Sequence, residues 1–172
     1  MRRIGLLCVL LVLSACGTSY RDKGVGMTSM AAFEPEKYAG LWYEIASYPT
    51  FFQAGCSHTT AEYGMGEAGA LTVRNSCRKG EVTEVIEGSA SISGPGRLSV
   101  RLEGVPVAAA YWVLWVDEGY RTAVVGVPSG RAGWILNRTP DIPPDRLAAA
   151  RRILEFNGYD LSALEMTPQG AR

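Results

Sequence analysis

The sequence predicts an all-β fold, an eight-stranded antiparallel up-and-down barrel with one C-terminal α-helix packed against its outside. Eight extended runs of similar length follow one another between residues 41 and 138, separated by turns that contain Gly, Pro or Asp. A helical period comes only after the last run, at 144–157, and Gly158 ends it. Twenty Gly and nine Pro among 172 residues fit a chain with many turns.

The predicted strands have the order and spacing of an antiparallel meander. They cover 41–48, 56–63, 70–77, 81–92, 97–102, 110–117, 120–127 and 132–138. A meander leaves open edges unless it closes on itself, and eight strands close into a barrel with room for one small ligand. The helix over 144–157 places Leu147, Arg151 and Leu154 on one face, which can cover apolar residues outside the barrel.

The first 15 residues are predicted to be a lipoprotein signal peptide. Arg2 and Arg3 precede an apolar run at 4–13, which is too short to span a membrane but fits the hydrophobic region of a secretion signal. The LSAC sequence that ends at Cys16 resembles the lipobox of bacterial lipoproteins, which implies cleavage before Cys16 and its acylation. Several acyl chains give stable membrane anchoring. The alternative is an ordinary signal peptide with an unrelated cysteine.

The residues after the lipobox suggest a location and a linker. Gly17, rather than an Asp, follows the cysteine, and resemblance to enterobacterial sorting then implies the outer membrane, with the domain facing the periplasm. Residues 18–32 have no period and are rich in small and polar residues, so we expect a flexible tether. The predicted division is 1–15 signal peptide, 16–32 lipidated N terminus and tether, and 33–172 barrel domain.

Charge and composition exclude several functions. The 17 Lys and Arg equal the 17 Asp and Glu, so no basic excess indicates a nucleic-acid partner. With the single His58, a zinc site is short of ligands, and a Ser-His-acid triad lacks its G-x-S-x-G motif. We therefore predict no catalytic residues, no metal and no cofactor.

Three short motifs carry a resemblance to a known family. GLWYEIA at 40–46, DEGY at 117–120 and RTP at 138–140 match the three lipocalin motifs in order and spacing. The chain is similar to lipocalins over 33–168, and most to bacterial outer-membrane lipoproteins related to apolipoprotein D. The resemblance implies a protein, not an enzyme, that binds, stores or transports a fatty acid or phospholipid for envelope maintenance.

The resemblance also implies how the barrel closes. Gly40 permits a tight entry into the first strand, and Trp42 then closes one end of the barrel. We expect the Arg138 guanidinium to lie over the Trp42 ring in a cation–π contact. We assign these three residues a structural role, without contact to the ligand.

Strand parity gives the candidate ligand site. If Trp42 faces inward, Glu44 and Ala46 also face inward, whereas Tyr43 and Ile45 face outward and need the helix as a cover. The predicted ligand residues are Glu44 toward the floor, with Tyr111, Val113, Trp134 and Leu136 along the wall. Trp134 and Leu136 share the face of Arg138, and the resemblance favours an inward Tyr111.

The sixth strand is apolar on both faces. An inward Tyr111 leaves Trp112 and Leu114 outward, and this outward stripe needs a cover. The helix is one candidate cover and a second subunit is another, so a homodimer is a possible assembly.

Two cysteines remain in the predicted mature domain. If the hairpin around residues 64–69 pairs Tyr63 with Ala70, then Cys56 lies opposite Cys77, close enough for a disulfide in an oxidising envelope. Two free thiols are the alternative.

Two other functions stay open at this point. One is an enzyme that acts on an apolar substrate inside the barrel, with Glu44 and tyrosines as its acid–base groups. The other is a haem or chromophore binder with His58 or Tyr111 as an axial ligand.

Overall fold

A computed structural model describes residues 18–170, so the predicted signal peptide and Cys16 lie outside the described residues. Within that range the chain forms nine strands and two α-helices, α1 (Pro35–Tyr38) and α2 (Pro144–Phe156). The strands are β1 Gly40–Ser47, β2 Ser57–Met65, β3 Leu71–Lys79, β4 Val82–Gly94, β5 Arg97–Leu102, β6 Ala109–Val116, β7 Thr122–Gly126, β8 Gly133–Asn137 and β9 Glu165–Met166. No helix in this part of the chain is long and apolar enough to cross a membrane.

The first eight strands form the predicted barrel. Neighbouring strands pair antiparallel from β2 through β8, and β1 pairs with both β8 and β2, which closes the sheet. The strand bounds differ from the predicted ones by no more than two residues. The all-β fold with an external C-terminal helix is therefore confirmed, because period-2 patterning and turn residues are both strong along this chain.

Two apolar clusters hold the fold together. One fills the barrel interior and includes Trp42, Val113 and Leu136. The other joins the outside of the barrel to α2, where Ala150 and Leu154 are fully buried. Its barrel-side members include Ile45, Val124 and Ile135, with Tyr43 packed against it. The prediction that Tyr43 and Ile45 face outward under the helix is confirmed.

The inward orientation predicted for Ala46 is wrong. The pairing of β1 with β8 shifts register between Glu44, opposite Leu136, and Ala46, opposite Ile135. This bulge reverses the side-chain alternation, since an extra residue in one strand moves everything beyond it to the other face. Ala46 therefore joins the external cluster beside α2.

The C-terminal residues complete the barrel wall. Only the first half of β1, through Tyr43, pairs with β2 in the described structure, while its second half pairs with β9. Beyond β9, the Gln169 side-chain amide donates to the carbonyl oxygens of Glu44 (2.6 Å) and Thr59 (3.0 Å). The C-terminal segment thus bridges a gap between β1 and β2, an arrangement that the sequence did not predict.

The structure also differs from the prediction of a flexible tether over residues 18–32. Residues 19–33, here called the strap, run along the outside of the barrel and are bonded to it. Arg21 is buried, and its Nε donates to the carbonyl oxygen of Asn157 (2.7 Å). At Gly130 and Gly158 an added Cβ would lie within 3 Å of strap atoms, so these glycines permit the close approach. The sequence of the strap therefore lacks a hydrophobic period because its backbone is irregular, although it is packed against the barrel.

The outward stripe of β6 is covered within the chain. Trp112 and Leu114 belong to the external cluster, as does Met27 of the strap. The Arg97 guanidinium also lies 4.1 Å from the centre of a Trp112 ring. The stripe consequently gives no reason to expect a second subunit.

Candidate ligand-binding cup

One end of the barrel is closed by the predicted pair of residues. The guanidinium carbon of Arg138 lies 3.8 Å from the ring centre of the fully buried Trp42. Arg138 also donates to the carbonyl oxygens of Lys37 (2.8 Å) and Leu41 (3.0 Å), and the Trp42 indole donates to that of Tyr38 (2.7 Å). The Arg138 side chain thus ties the chain around α1 and the start of β1 to the end of β8.

Gly40 is required at this end for two reasons. Its φ of +102° lies in the region that favours glycine. A Cβ there would also lie only 3.1 Å from an Arg138 guanidinium nitrogen. A larger residue at this position would therefore displace Arg138 from Trp42.

Three tyrosine hydroxyls meet inside the barrel above the closed end. The Tyr111 hydroxyl lies 2.7 Å from that of Tyr38 and 2.8 Å from that of Tyr63. Burial raises the pKa of Tyr63 to about 12 and holds the pKa values of Tyr38 and Tyr111 well above their ordinary value. The cluster is therefore neutral at physiological pH, and its hydroxyls already have partners.

The predicted wall residues lie together on the inner face. The ring of Trp134 stacks on that of Tyr111, with centres 6.1 Å apart and planes inclined by 22°. Both rings are half-buried, whereas Val113 and Leu136 are buried in the interior cluster beside them. Tyr111 and Trp134 are thus the more accessible of these wall residues, and their contact with a ligand stays a prediction.

Glu44 belongs to a polar chain that reaches the cup. Its two carboxylate oxygens accept from Gln53 (2.8 Å) and from the Thr167 hydroxyl (2.6 Å). Gln53 in turn accepts from the Trp134 indole (3.2 Å). This chain ties the β1–β2 loop and the C-terminal segment to the cup wall. Because protein donors occupy both carboxylate oxygens, Glu44 acts foremost as a structural acceptor.

Sequence reasoning missed three residues of this site. The position of Tyr63 could have been predicted from the alternation along β2. It lies two residues from Ala61, which packs on the interior cluster, so both side chains face inward. The positions of Tyr38 and Gln53 could not have been predicted from the sequence pattern. Both residues lie outside the periodic runs and come close to the cup only when the chain folds.

His58 and Tyr111 do not come together. His58 is exposed, with a φ of +52°, and its Nδ1 lies 3.1 Å from the Ser57 hydroxyl. The Tyr111 hydroxyl is held inside the barrel by the other tyrosines. Among residues 18–170 no group of three or more His, Cys, Asp or Glu is placed to hold a metal ion. No observation therefore favours the haem-binding alternative.

The Cys56–Cys77 disulfide is confirmed, but the register that suggested it is wrong. The two Cα atoms are 5.4 Å apart and the sulfurs are bonded. Strand β2 continues to Met65, which pairs with Leu71, so Tyr63 faces Val73 rather than Ala70. The predicted turn began too early, and a bulge near Ser57 restores the proximity of the cysteines. The bond ties the β1–β2 loop to the far end of β3.

A second concavity crosses strands β2 to β5. This open groove of about 770 Å³ is lined by outward-facing polar residues, among them Glu62, Arg74, Glu87 and Arg101, and it also reaches Tyr63, Val73 and Leu102 of the interior cluster. Arg74 and Glu87 form an ion pair across it at 3.4 Å. None of the five predicted ligand residues lines this groove.

Comparison with known proteins decides the family. Residues 33–169 match the family model described as a lipocalin-like domain. The chain belongs to the lipocalin family. This lipocalin is 36% identical over 145 residues to temperature-induced lipocalin-1 of Arabidopsis thaliana, with 78% of each chain covered. It is 32% identical over 152 residues to outer membrane lipoprotein Blc of Escherichia coli K12, covering 86% of this chain and 85% of that one.

Further relatives agree. Apolipoprotein D of Macaca fascicularis is 33% identical over 148 residues, covering 80% of this lipocalin and 77% of the relative. Among solved structures, insecticyanin of the tobacco hornworm Manduca sexta superimposes with a TM-score of 0.68 at 22% identity, covering 87% and 86% of the two chains. Apocrustacyanin C1 superimposes with a TM-score of 0.67 at 18% identity, covering 78% and 79%. These two structures support the fold.

Proposed function

We propose that this lipocalin binds, stores or transports a lipid of the fatty acid or phospholipid class inside the barrel, as part of envelope maintenance. The observation that carries the proposal is the apolar inner face of the closed barrel. One end is closed by Trp42 and Arg138, and the half-buried rings of Tyr111 and Trp134 line the wall on the way to the other end. A concave site with apolar walls and few polar groups is typical of a site for a small apolar molecule.

The chemistry of the wall favours an acyl chain over a polar solute. The tyrosine hydroxyls bond one another, and both oxygens of Glu44 accept from protein donors. A polar ligand would have to compete with these protein partners, which is unfavourable in a largely buried site. An acyl chain needs only apolar surface, which Tyr111, Trp134 and the aliphatic residues beneath them provide.

The same contacts support a binding protein rather than an enzyme. General acid–base catalysis needs a group with a free position toward the substrate and a pKa near the working pH. The cup tyrosines have pKa values raised by burial, and Glu44 is committed to Gln53 and Thr167. We therefore propose that the bound lipid leaves the cup chemically unchanged.

The proposed location is the outer membrane, reached through acylated Cys16. Two observations support it: the LSAC lipobox after a positively charged, apolar leader, and 32% identity to a relative named as an outer membrane lipoprotein. Cys16 lies outside the described residues, so its acylation is part of the proposal. The mass of the processed protein tests this step directly.

Titration with a long-chain fatty acid and with a lysophospholipid tests the binding proposal. Trp134 fluorescence should change as either lipid binds, and Trp134→Ala should weaken binding by about 1–3 kcal/mol through lost apolar contact. Trp112→Ala is the matched control, because Trp112 packs on the outside of the barrel. Its affinity should equal that of the wild type.

Two results would count against the cup. One is a folded Trp134→Ala protein that binds both lipids as tightly as the wild type. The other is an equal loss of affinity in the Trp112→Ala control. Mass spectrometry of the lipid recovered after binding separates carrier from enzyme, since an altered lipid would contradict the proposal.

A further inference from the structure

The strap fixes where the described part of the chain begins relative to the cup. Because the strands alternate in direction, the β1–β2, β3–β4, β5–β6 and β7–β8 loops share the end opposite Trp42, here called the open end. The strap begins there: Tyr20 donates its backbone N–H to Gly130 in the β7–β8 loop (2.7 Å) and its hydroxyl to Pro49 in the β1–β2 loop (2.8 Å). The N-terminal end of the strap therefore lies at the open end.

From that point the strap runs to the closed end. The Ser29 hydroxyl donates to Pro95 in the β4–β5 turn (2.9 Å), and the Met30 N–H donates to Val113 (2.8 Å). Helix α1 follows and leads into β1 beside Arg138. The stacking of Tyr20 on Tyr48, with ring centres 5.0 Å apart, and the buried Arg21 hold the upper part in place.

This path limits where a lipid anchor can lie. Cys16 precedes Ser19 by three residues, and a fully extended chain of that length spans about 10 Å. The Ser19 hydroxyl donates to Ser129 (3.2 Å), again in the β7–β8 loop. An acyl group on Cys16 would therefore be attached within about 10 Å of the open end.

The open end also exposes apolar side chains from three of its loops. Phe51 and Phe52 in the β1–β2 loop are 92% and 54% exposed, with ring centres 5.4 Å apart. Val82 and Val107, beside the β3–β4 turn and in the β5–β6 loop, are 63% and 68% exposed. The closed end has no exposed aromatic residue among those described, and its exposed apolar residues are Leu41, Met65 and Ile92.

We propose that the open end of the barrel rests on the bilayer that holds the Cys16 anchor, with Phe51, Phe52 and Val107 in the lipid headgroup region. The inference rests on the proposed acylation of Cys16, and it adds an orientation and a contact surface to it. The occupant of this surface is a phospholipid bilayer, because the anchor brings one within about 10 Å of the loops. Lipid can then pass between bilayer and cup without crossing water.

Hydroxyl-radical footprinting of the acylated protein on phosphatidylethanolamine–phosphatidylglycerol vesicles tests the orientation. The reference is the Cys16→Ser chain in solution, which takes no acyl group. Oxidation of Phe51 and Phe52 should fall severalfold on vesicles, because side chains in the headgroup region are shielded from water. Oxidation of Met65, exposed at the closed end, should not change.

The outcomes separate two failures. A processed chain whose mass shows no acyl group on Cys16 overturns the anchoring and, with it, this orientation. An acylated protein in which Met65 is protected as much as Phe51 and Phe52, or in which neither end is protected, overturns the orientation alone.

Transfer of a fluorescent fatty acid from the vesicle bilayer to the acylated protein gives a second readout. Phe51→Ser with Phe52→Ser should slow transfer by at least about tenfold, because the loss of even one of the two partly buried phenylalanines is worth that factor. Met65→Ser with Ile92→Ser is the matched pair at the closed end and should transfer at the wild-type rate. Equal slowing by both pairs, or by neither, would contradict the proposal.

Discussion

At the scale of single residues, the cup depends on polar groups that are buried with partners. Tyr38, Tyr63 and Tyr111 each place a hydroxyl within hydrogen-bond distance of another. Buried hydroxyls without partners would destabilise the fold, whereas this cluster satisfies them and leaves the rings as apolar wall. The same burial makes ionisation of the phenols unfavourable, which has a consequence at high pH.

The free energy of unfolding should fall steeply in alkaline solution. Burial raises the pKa of Tyr63 to about 12, while the unfolded chain ionises it near 10. The unfolded state therefore loses its proton first, so the stabilising contribution is complete below pH 10 and is lost as pH rises to about 12. For Tyr63 alone the slope is about 1.4 kcal/mol per pH unit.

Urea unfolding at stepped pH values measures this slope. Tyr63→Phe has no ionisable group at the position, so its stability should fall less steeply above pH 10 than that of the wild type. Tyrosinate absorbance, followed in parallel, should rise together with unfolding. The same slope in Tyr63→Phe and wild type would show that Tyr63 ionises in the folded state as it does in the unfolded chain.

Residues were predictable where they belong to a motif or a period. Trp42, Gly40 and Arg138 followed from the motifs, and Trp134 and Leu136 followed from sharing parity with Arg138. Gln53 was not predictable, because its partners Glu44 and Trp134 become neighbours only when a nonperiodic loop folds over them. Polar contacts of this kind depend on loop geometry, for which the sequence carries no local signal.

At the scale of elements, strand β1 differs from the other strands in having three pairing partners. It pairs with β8 on one side and is shared by β2 and the C-terminal segment on the other. Its bulge after Glu44 accompanies the change of partner. The existence and order of the strands could be predicted from the alternation of apolar and polar residues and from the turn residues. The bulge could not, because it depends on which residue of the neighbouring strand each residue faces.

The C-terminal segment should contribute measurably to stability through one side chain. Gln169→Ala removes the donor to the carbonyl oxygens of Glu44 and Thr59, both buried residues. Leaving such acceptors without a partner costs about 1–3 kcal/mol, which should appear as a lower free energy of unfolding in urea. Met166→Ala, an exposed position on β9, should change it by less than about 0.5 kcal/mol. Equal effects of the two substitutions would contradict the bridging role.

At the scale of the whole molecule, the strap and the closed end distinguish the two ends of the barrel. The strap starts at the open end and leads to the closed end, where α1 and Arg138 seal the floor. The Cys56–Cys77 bond stabilises the opposite end, beside the β1–β2 loop. The barrel, the helix and the closed end could be predicted from the sequence, but the path of the strap could not. Residues 19–33 lack the periodicity that would have indicated how they pack.

The central claim is that the interior of the barrel, rather than any outer surface, holds an acyl chain. Photo-cross-linking with a fatty acid that carries a diazirine near its methyl end, followed by peptide mapping, tests it most directly. Covalent adducts should map to inward-facing residues such as Tyr111, Val113 and Trp134. Adducts confined to the outer groove beside Arg74 and Glu87 would contradict the claim.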